Sequence, residues 1–266
     1  MLARKYIIVL LLLIGMAQAQ PRRTEWIGNP GQRVKAEIFG SADVGAAPVL
    51  VIVLHGDAPF AKPSYQYEFA ANAARQLHDV VAAALLRPGY TDNVGDTSDG
   101  HRGNATADNY TPEVLDQLDA AIRRLKTQLH PSAVVLVGHS GGAAISADLI
   151  ARDQGLATAA LLVSCPCDVP AFREHMKTVS PTPLWDAPVR SISPLDVVEG
   201  VSKTMRIVMV VGEKDNVAPP NLTERYSAAL KKRKINVHVI VLPGQGHEIL
   251  LDAAIIQQLS ILIKSL

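Results

Sequence analysis

The chain has 266 residues, 26 Lys+Arg against 25 Asp+Glu, and 48% hydrophobic residues. A net charge of +1 lacks the basic surplus of a nucleic-acid-binding face, so no nucleic-acid partner is expected. A chain this long and apolar can bury a sizeable core without disulfide support. It shows no internal repeat and no low-complexity tract.

The first segment reads as a targeting signal over residues 1–19. Arg4 and Lys5 precede an apolar run from Ile7 to Ile14, and Ala17-Gln18-Ala19 offers a small-residue cleavage site. The run is shorter than the ~20 residues a spanning helix needs, so no stable membrane span is expected after cleavage, and the protein is expected to be exported, periplasmic or secreted. Cleavage would remove two basic residues and no acid, moving the net charge from +1 to −1. Residues 20–266 then suit one α/β domain.

Within that domain, a leading strand or hairpin is expected near 34–39 and a core strand at 48–54, the latter running into His55-Gly56-Asp57-Ala58. A helix follows around 65–77, then a strand at 80–86. The Asp-, Gly- and Asn-rich stretch 87–109 reads as a solvated rim loop, and it lacks EF-hand spacing. Thr111, Pro112 and Glu113 mark the start of a helix reaching about Leu129.

Ala133-Val134-Val135-Leu136-Val137 then reads as a buried parallel strand. It turns through Gly138-His139-Ser140-Gly141-Gly142 into an apolar helix at 141–153. Glycines must flank the serine because so tight a strand-to-helix turn leaves no room for bulk. The helix begins at the serine, so its free amides and positive dipole end face any anion formed there. Alternation continues with strands at 158–163, 206–211 and 237–242 and helices at 221–232 and 247–264, the pattern of a doubly wound, mostly parallel sheet with helices on both faces.

Two residues complete a constellation around Ser140. Asp215 follows the 206–211 strand, in Gly212-Glu213-Lys214-Asp215, and His247 follows the 237–242 strand, in Pro243-Gly244-Gln245-Gly246-His247. All three lie past the carboxyl ends of core strands, the rim where open parallel sheets bind ligands. The order Ser…Asp…His in these contexts resembles the α/β-hydrolase superfamily, particularly its esterase, dienelactone-hydrolase-like and prolyl-oligopeptidase-like branches. The resemblance spans about residues 34–266. It implies Ser140 as nucleophile, His247 as base and Asp215 as acid, with Glu213 and Asp196 as rival acids. It also implies an oxyanion hole from the backbone amides of Gly141 and Asp57, with Ala58 as the alternative to Asp57. An aspartate there would repel an oxyanion unless its side chain pairs elsewhere. His55 and His139 read as structural, and no histidine pair has metal-ligand spacing, so neither metal nor organic cofactor is expected.

The proline-rich 166–204 stretch reads as a small cap or extended rim loop. Ala58, Cys165 and Trp185 are candidate pocket residues, Trp185 equally an anchor holding the cap to the core. Cys165 and Cys167 flank Pro166; two free, partly buried thiols are favoured over a bridge, which would close a small strained ring.

The expected function is an exported serine hydrolase cleaving a carboxylic ester through an acyl-enzyme, since the domain is small and shows no propeller or large cap to select peptides. A prolyl-oligopeptidase-like peptidase acting on short peptides is the alternative within enzymes. A non-catalytic exported binding protein on the same fold is the alternative outside them. Substrate identity and oligomeric state are not legible.

Overall fold

Uninterrupted Val/Ile/Leu runs have no polar side to turn to water, so they belong at the centre of a sheet covered on both faces. The computed structural model describes residues 22–58 and 62–266; the expected leader at 1–19 lies outside the described residues. In chain order the elements are β1 (Arg23–Ile27), β2 (Val34–Gly40), β3 (Val49–Leu54), α1 (Tyr65–Gln76), β4 (Val80–Leu85), α2 (Pro112–Leu129), β5 (Ala133–His139), α3 (Gly141–Arg152), β6 (Ala159–Val163), α4 (Val169–Val179), β7 (Arg206–Gly212), α5 (Pro220–Lys232), β8 (Asn236–Leu242) and α6 (Ala253–Lys264). The eight strands form one sheet in the order β1-β2-β4-β3-β5-β6-β7-β8. β1 and β2 pair antiparallel, as does β2 with β4, and every other pair is parallel. This is the α/β-hydrolase fold, mostly parallel and wound on both faces.

Alternate residues of each strand feed two separate cores. Leu50, Ile52 and Leu54 pack with Leu115 and Leu118 of α2, Ile145 of α3 and Leu222 of α5. Val51 and Val53 face the other way, onto Phe69 and Ala73 of α1 and Ile255 and Leu259 of α6.

Register sets the rim. Leu54 pairs with Gly138 across β3 and β5, and Gly212 pairs with Leu242 across β7 and β8. The His55-Gly56-Asp57 turn therefore emerges beside Ser140, and the Asp215 and His247 loops emerge beside each other.

Three sequence expectations change and a fourth gains detail. The last helix starts at Ala253, not 247: Asp252 caps it by accepting from the Ala254 amide, and His247 stands in the preceding irregular segment. That segment is pinned by Ile249 and Leu250, both buried. The 87–109 stretch is not a solvated loop. Arg87, Tyr90, Asp92, Ser98 and Asn109 are buried in it, and Asp92 and Asp96 bind the buried ammonium of Lys35 on β2 at 2.6 and 2.8 Å. The 166–204 stretch contains a true helix, α4, whose N-cap Asp168 accepts from the Ala171 amide. Finally, Cys165 and Cys167 are joined by a disulfide and wholly buried in the core. Cys165 therefore does not line a pocket; the turn after β6, with Ser164 at φ +51°, breaks the strand's alternation and brings the two sulfurs to one side.

Candidate active site

Ser140 occupies a backbone conformation that L-residues avoid, φ +53° and ψ −123°, held because both sides of the turn are over-determined. Its N–H donates to the Val163 carbonyl of β6 at 2.8 Å, and its carbonyl accepts from Ala143 and Ala144 at 2.8 and 3.2 Å. A Cβ at Gly142 would enter the Leu54 and His55 carbonyls, and one at Gly138 would enter the first turn of α3. The glycines thus let α3, β5 and the neighbouring β3 meet at backbone distance.

The imidazole of His247 is held from below. Its Nδ1 lies 3.0 and 2.9 Å from the two carboxylate oxygens of Asp215. Asp215 is buried, and its Oδ1 also accepts from the Val217 and Ala218 amides at 3.0 and 2.8 Å. Burial pushes this carboxyl up, but the hydrogen bond and charge of His247 together with the Ala218 amide outweigh it, and the carboxyl sits below its ordinary range. Glu213, a rival for the acid position, instead accepts from the Gly244 amide at 2.7 Å. Asp196 lines a different cavity, between α4 and the segment after Trp185.

The side chain of Asp57 lies beside Gly141 but is taken up by other donors. Its Oδ1 accepts from Arg87 at 2.9 Å, and its Oδ2 from the Tyr110 hydroxyl and the Ala107 amide at 2.9 and 3.1 Å. Arg87 is fully buried between the Tyr90 and Tyr110 rings, 5.0 and 5.7 Å from their centroids. Burial disfavours its charge, yet the neighbouring tyrosines and Asp57 more than restore it. The repulsion that Asp57 threatened is thereby neutralised by a cation from the end of the adjacent strand, β4. Among the described residues, the amides of Asp57 and Gly141 donate to no protein acceptor. They are free backbone dipoles at the turn and at the α3 N-terminus, as an oxyanion site requires.

Ser140, His247, Asp57 and Ala58 line one cavity of about 460 Å³. Its apolar wall is Phe172 and Met176 of α4, Trp185 and Val217, and Gly56, Tyr65, Ala105, His139, Ser180 and Glu248 complete the lining. Trp185 lines the cavity, and its indole N–H donates to the Ser180 carbonyl at 2.9 Å while its ring meets Phe172 edge-on. Among the described residues Ser140 Oγ and His247 make no direct hydrogen bond; such contacts commonly tighten only around bound substrate. No cluster of three or more metal-ligating side chains occurs among the described residues.

Sequence reasoning missed Arg87, Tyr110 and Tyr65. Arg87 left a trace, a cation at the end of an apolar strand run; Tyr65 and Tyr110 left none.

The model of the prolyl oligopeptidase family matches residues 90–263, which carry Ser140, Asp215 and His247. The chain belongs to the prolyl oligopeptidase family. Among solved structures, a puromycin-hydrolyzing peptidase of Mycobacterium tuberculosis is similar at 18% identity and TM-score 0.66, over 90% of this chain and 38% of that one. An acylaminoacyl peptidase of Pyrococcus horikoshii is similar at 13% identity and TM-score 0.69, over 96% of this chain and 42% of that one. Est1E from Butyrivibrio proteoclasticus is similar at 16% identity and TM-score 0.66, over 91% of this chain and 98% of that one. At these identities the likeness is one of fold. The chain spans about two fifths of the length of those two peptidases. A comparison with curated proteins finds no match.

Proposed function

We propose that this member of the prolyl oligopeptidase family hydrolyses carboxylic esters through an acyl-enzyme, with Ser140 as nucleophile, His247 as general base and acid, and Asp215 as its orienting carboxylate. The observation that carries the reading is the strained Ser140 sharing an apolar cavity with a His247 whose Nδ1 is held by a buried, ionised Asp215. With Nδ1–H directed at Asp215, Nε2 is left as the acceptor for the serine proton. As Ser140 Oγ bonds to the acyl carbon, its proton passes to Nε2, and the carbonyl π pair moves onto oxygen. The Asp57 and Gly141 amides stabilise that oxyanion; one such donor is worth roughly 3–4 kcal/mol. Collapse expels the alkoxide, which takes the proton from Nε2. Water repeats the sequence on the acyl-enzyme and regenerates Ser140.

The preference for esters rests on the cavity wall of Phe172, Met176, Trp185 and Val217, which suits an alkyl or aryl group. The match of two esterases, Est1E and PE8, along 98% and 99% of their own lengths is consistent with it. Peptide hydrolysis is the second reading, favoured by the family model itself. Export is part of the proposal, supported by the leader-like 1–19 segment and by the Cys165–Cys167 disulfide, a bond that persists in oxidising compartments.

The test is fluorophosphonate labelling with adduct mapping, beside turnover of p-nitrophenyl acetate and an aminoacyl arylamide. Label at Ser140 with faster ester turnover supports the reading; faster arylamide turnover would move the protein to the peptidases, and a folded protein without label to the binding proteins. Ser140→Ala should retain its fold and lose roughly 10⁴–10⁶-fold in kcat.

A further inference from the structure

Along one wall of the cavity, a chain of hydrogen bonds crosses from the oxyanion turn to the His247 segment by way of two side chains that the proposed mechanism does not use. The Gly56 amide lies 2.6 Å from the Tyr65 hydroxyl, which lies 2.9 Å from His139 Nδ1. His139 Nε2 lies 3.0 Å from the carbonyl oxygen of His247. Both ends are irreversible, since an amide N–H only donates and a carbonyl oxygen only accepts. Everything between is therefore forced. Gly56 N–H donates to the phenol oxygen, the phenol proton goes to Nδ1, and Nε2–H goes to His247. Burial and the neighbouring His247 pull His139 down to about 3, so the ring is neutral and the single proton this direction needs is the one it has.

A second fixed bond locks the next peptide. The Arg87 amide donates to His55 Nε2 at 3.0 Å, so His55 Nδ1–H must donate to the Gly56 carbonyl at 2.7 Å. That carbonyl belongs to the peptide whose N–H is the Asp57 amide. Its orientation is thus held through its carbonyl, with the Asp57 N–H left free.

We infer that Tyr65 and His139 are positioning residues, a one-directional clamp that holds the oxyanion turn and the His247 segment in mutual register across the nucleophile strand. The inference rests on the serine-hydrolase reading of Ser140, Asp215 and His247. It carries a corollary: although Tyr65 lines the cavity, its proton is committed to His139, so it does not serve the oxyanion. Ser164 Oγ also donates to the His247 carbonyl, at 3.2 Å, which gives that segment a second hold and keeps it folded when the clamp is cut.

The experiment compares wild type with Tyr65→Phe, His139→Leu and His139→Gln, reading kcat and KM on a p-nitrophenyl ester, the rate of fluorophosphonate labelling at Ser140, and the thermal midpoint. Glutamine presents an acceptor oxygen and a donor nitrogen side by side, as the imidazole does. Loss of the clamp should lower kcat and labelling rate by roughly 10–100-fold in Tyr65→Phe and His139→Leu, the scale of lost supporting contacts. KM should stay within about threefold, and His139→Gln should return to within about fivefold of wild type. Wild-type kcat in Tyr65→Phe, or His139→Gln as slow as His139→Leu at equal thermal midpoints, would overturn the clamp while leaving the hydrolase intact. Absence of label in wild type would overturn the hydrolase reading and the clamp with it. Should His139→Leu fail to fold, Tyr65→Phe removes one oxygen and decides the matter alone.

Discussion

Asp57 shows how one side chain can be harmful or harmless at the same backbone position. An anion beside an oxyanion site would cancel what two amides contribute, unless it is neutralised within hydrogen-bond distance, and Arg87 does this at 2.9 Å with its own charge fully buried. The pair is interdependent: removing one partner leaves the other as an uncompensated charge, at a cost of about 3–5 kcal/mol. Asp57→Asn is therefore expected to lower the thermal midpoint by roughly 10 °C, taking about 2–4 °C per kcal/mol for a domain of this size. The Asp57→Asn, Arg87→Met double variant should recover part of that loss, since neither charge is then stranded. A drop under about 2 °C in the single variant would show that the ion pair contributes little.

At the scale of elements, the cavity wall is held by one guanidinium. Arg173, buried on α4, donates to the carbonyls of Trp185 and Ala187 at 2.7 and 2.8 Å and to those of Leu184 and Thr106. It ties α4 at once to the Trp185 turn and to the 87–109 loop, three pieces that contribute to the cavity lining. Burial pulls its pKa down from the ordinary value, against the opposing charge of Asp108. Replacing it by methionine keeps much of the volume but strands several buried carbonyls, each costing about 1–3 kcal/mol. For Arg173→Met we expect a stability loss of at least about 2 kcal/mol in urea unfolding. The KM for a bulky aryl ester should rise more than the kcat falls, because the displaced wall contacts substrate and not the reacting atoms. A kcat defect with unchanged KM would contradict the assignment of α4 and Trp185 to the wall.

Across the whole molecule, buried carboxyls pull the pH dependence of stability in opposite directions. Asp215 is held below its ordinary value, so its contribution is present above about pH 4, the unfolded carboxyl range, and is lost as pH falls through its folded pKa. Asp148, on α3, has both oxygens buried without a partner among the described residues. Burial drives it well above the ordinary value, the Arg152 charge opposing and Asp196 adding to the rise. The folded state then binds this proton more tightly than the unfolded state, so the contribution of Asp148 to stability is most favourable below about pH 4 and is eroded as pH rises. Asp148→Asn should raise the thermal midpoint at pH 7, with the gain shrinking toward zero as pH approaches 4. Destabilisation at pH 7, or a gain independent of pH, would contradict a proton on Asp148.

The sequence by itself determined the sheet and the order of its strands along the chain, because unbroken aliphatic runs between helical periods admit burial on both faces and little else. It also determined the Ser140 turn, since the glycines at 138, 141 and 142 make sense only where backbones meet. Asp215 and His247 were legible as residues past strand ends, and the parallel register then had to bring those ends to one rim. Side-chain destinations were not legible. Whether Asp57 faced the oxyanion or Arg87, whether the 87–109 polar residues faced water or Lys35, and whether Cys165 met a pocket or Cys167 all depend on partners 2 to 57 residues away. The start of the last helix moved for a local reason that competes with periodicity: Asp252 caps Ala254, and Ile249 and Leu250 anchor the segment before it. Local pattern reports which face of an element is apolar. Only the packed tertiary structure decides which buried polar atom meets which, because those pairings are set by distances between segments that the sequence does not order in space.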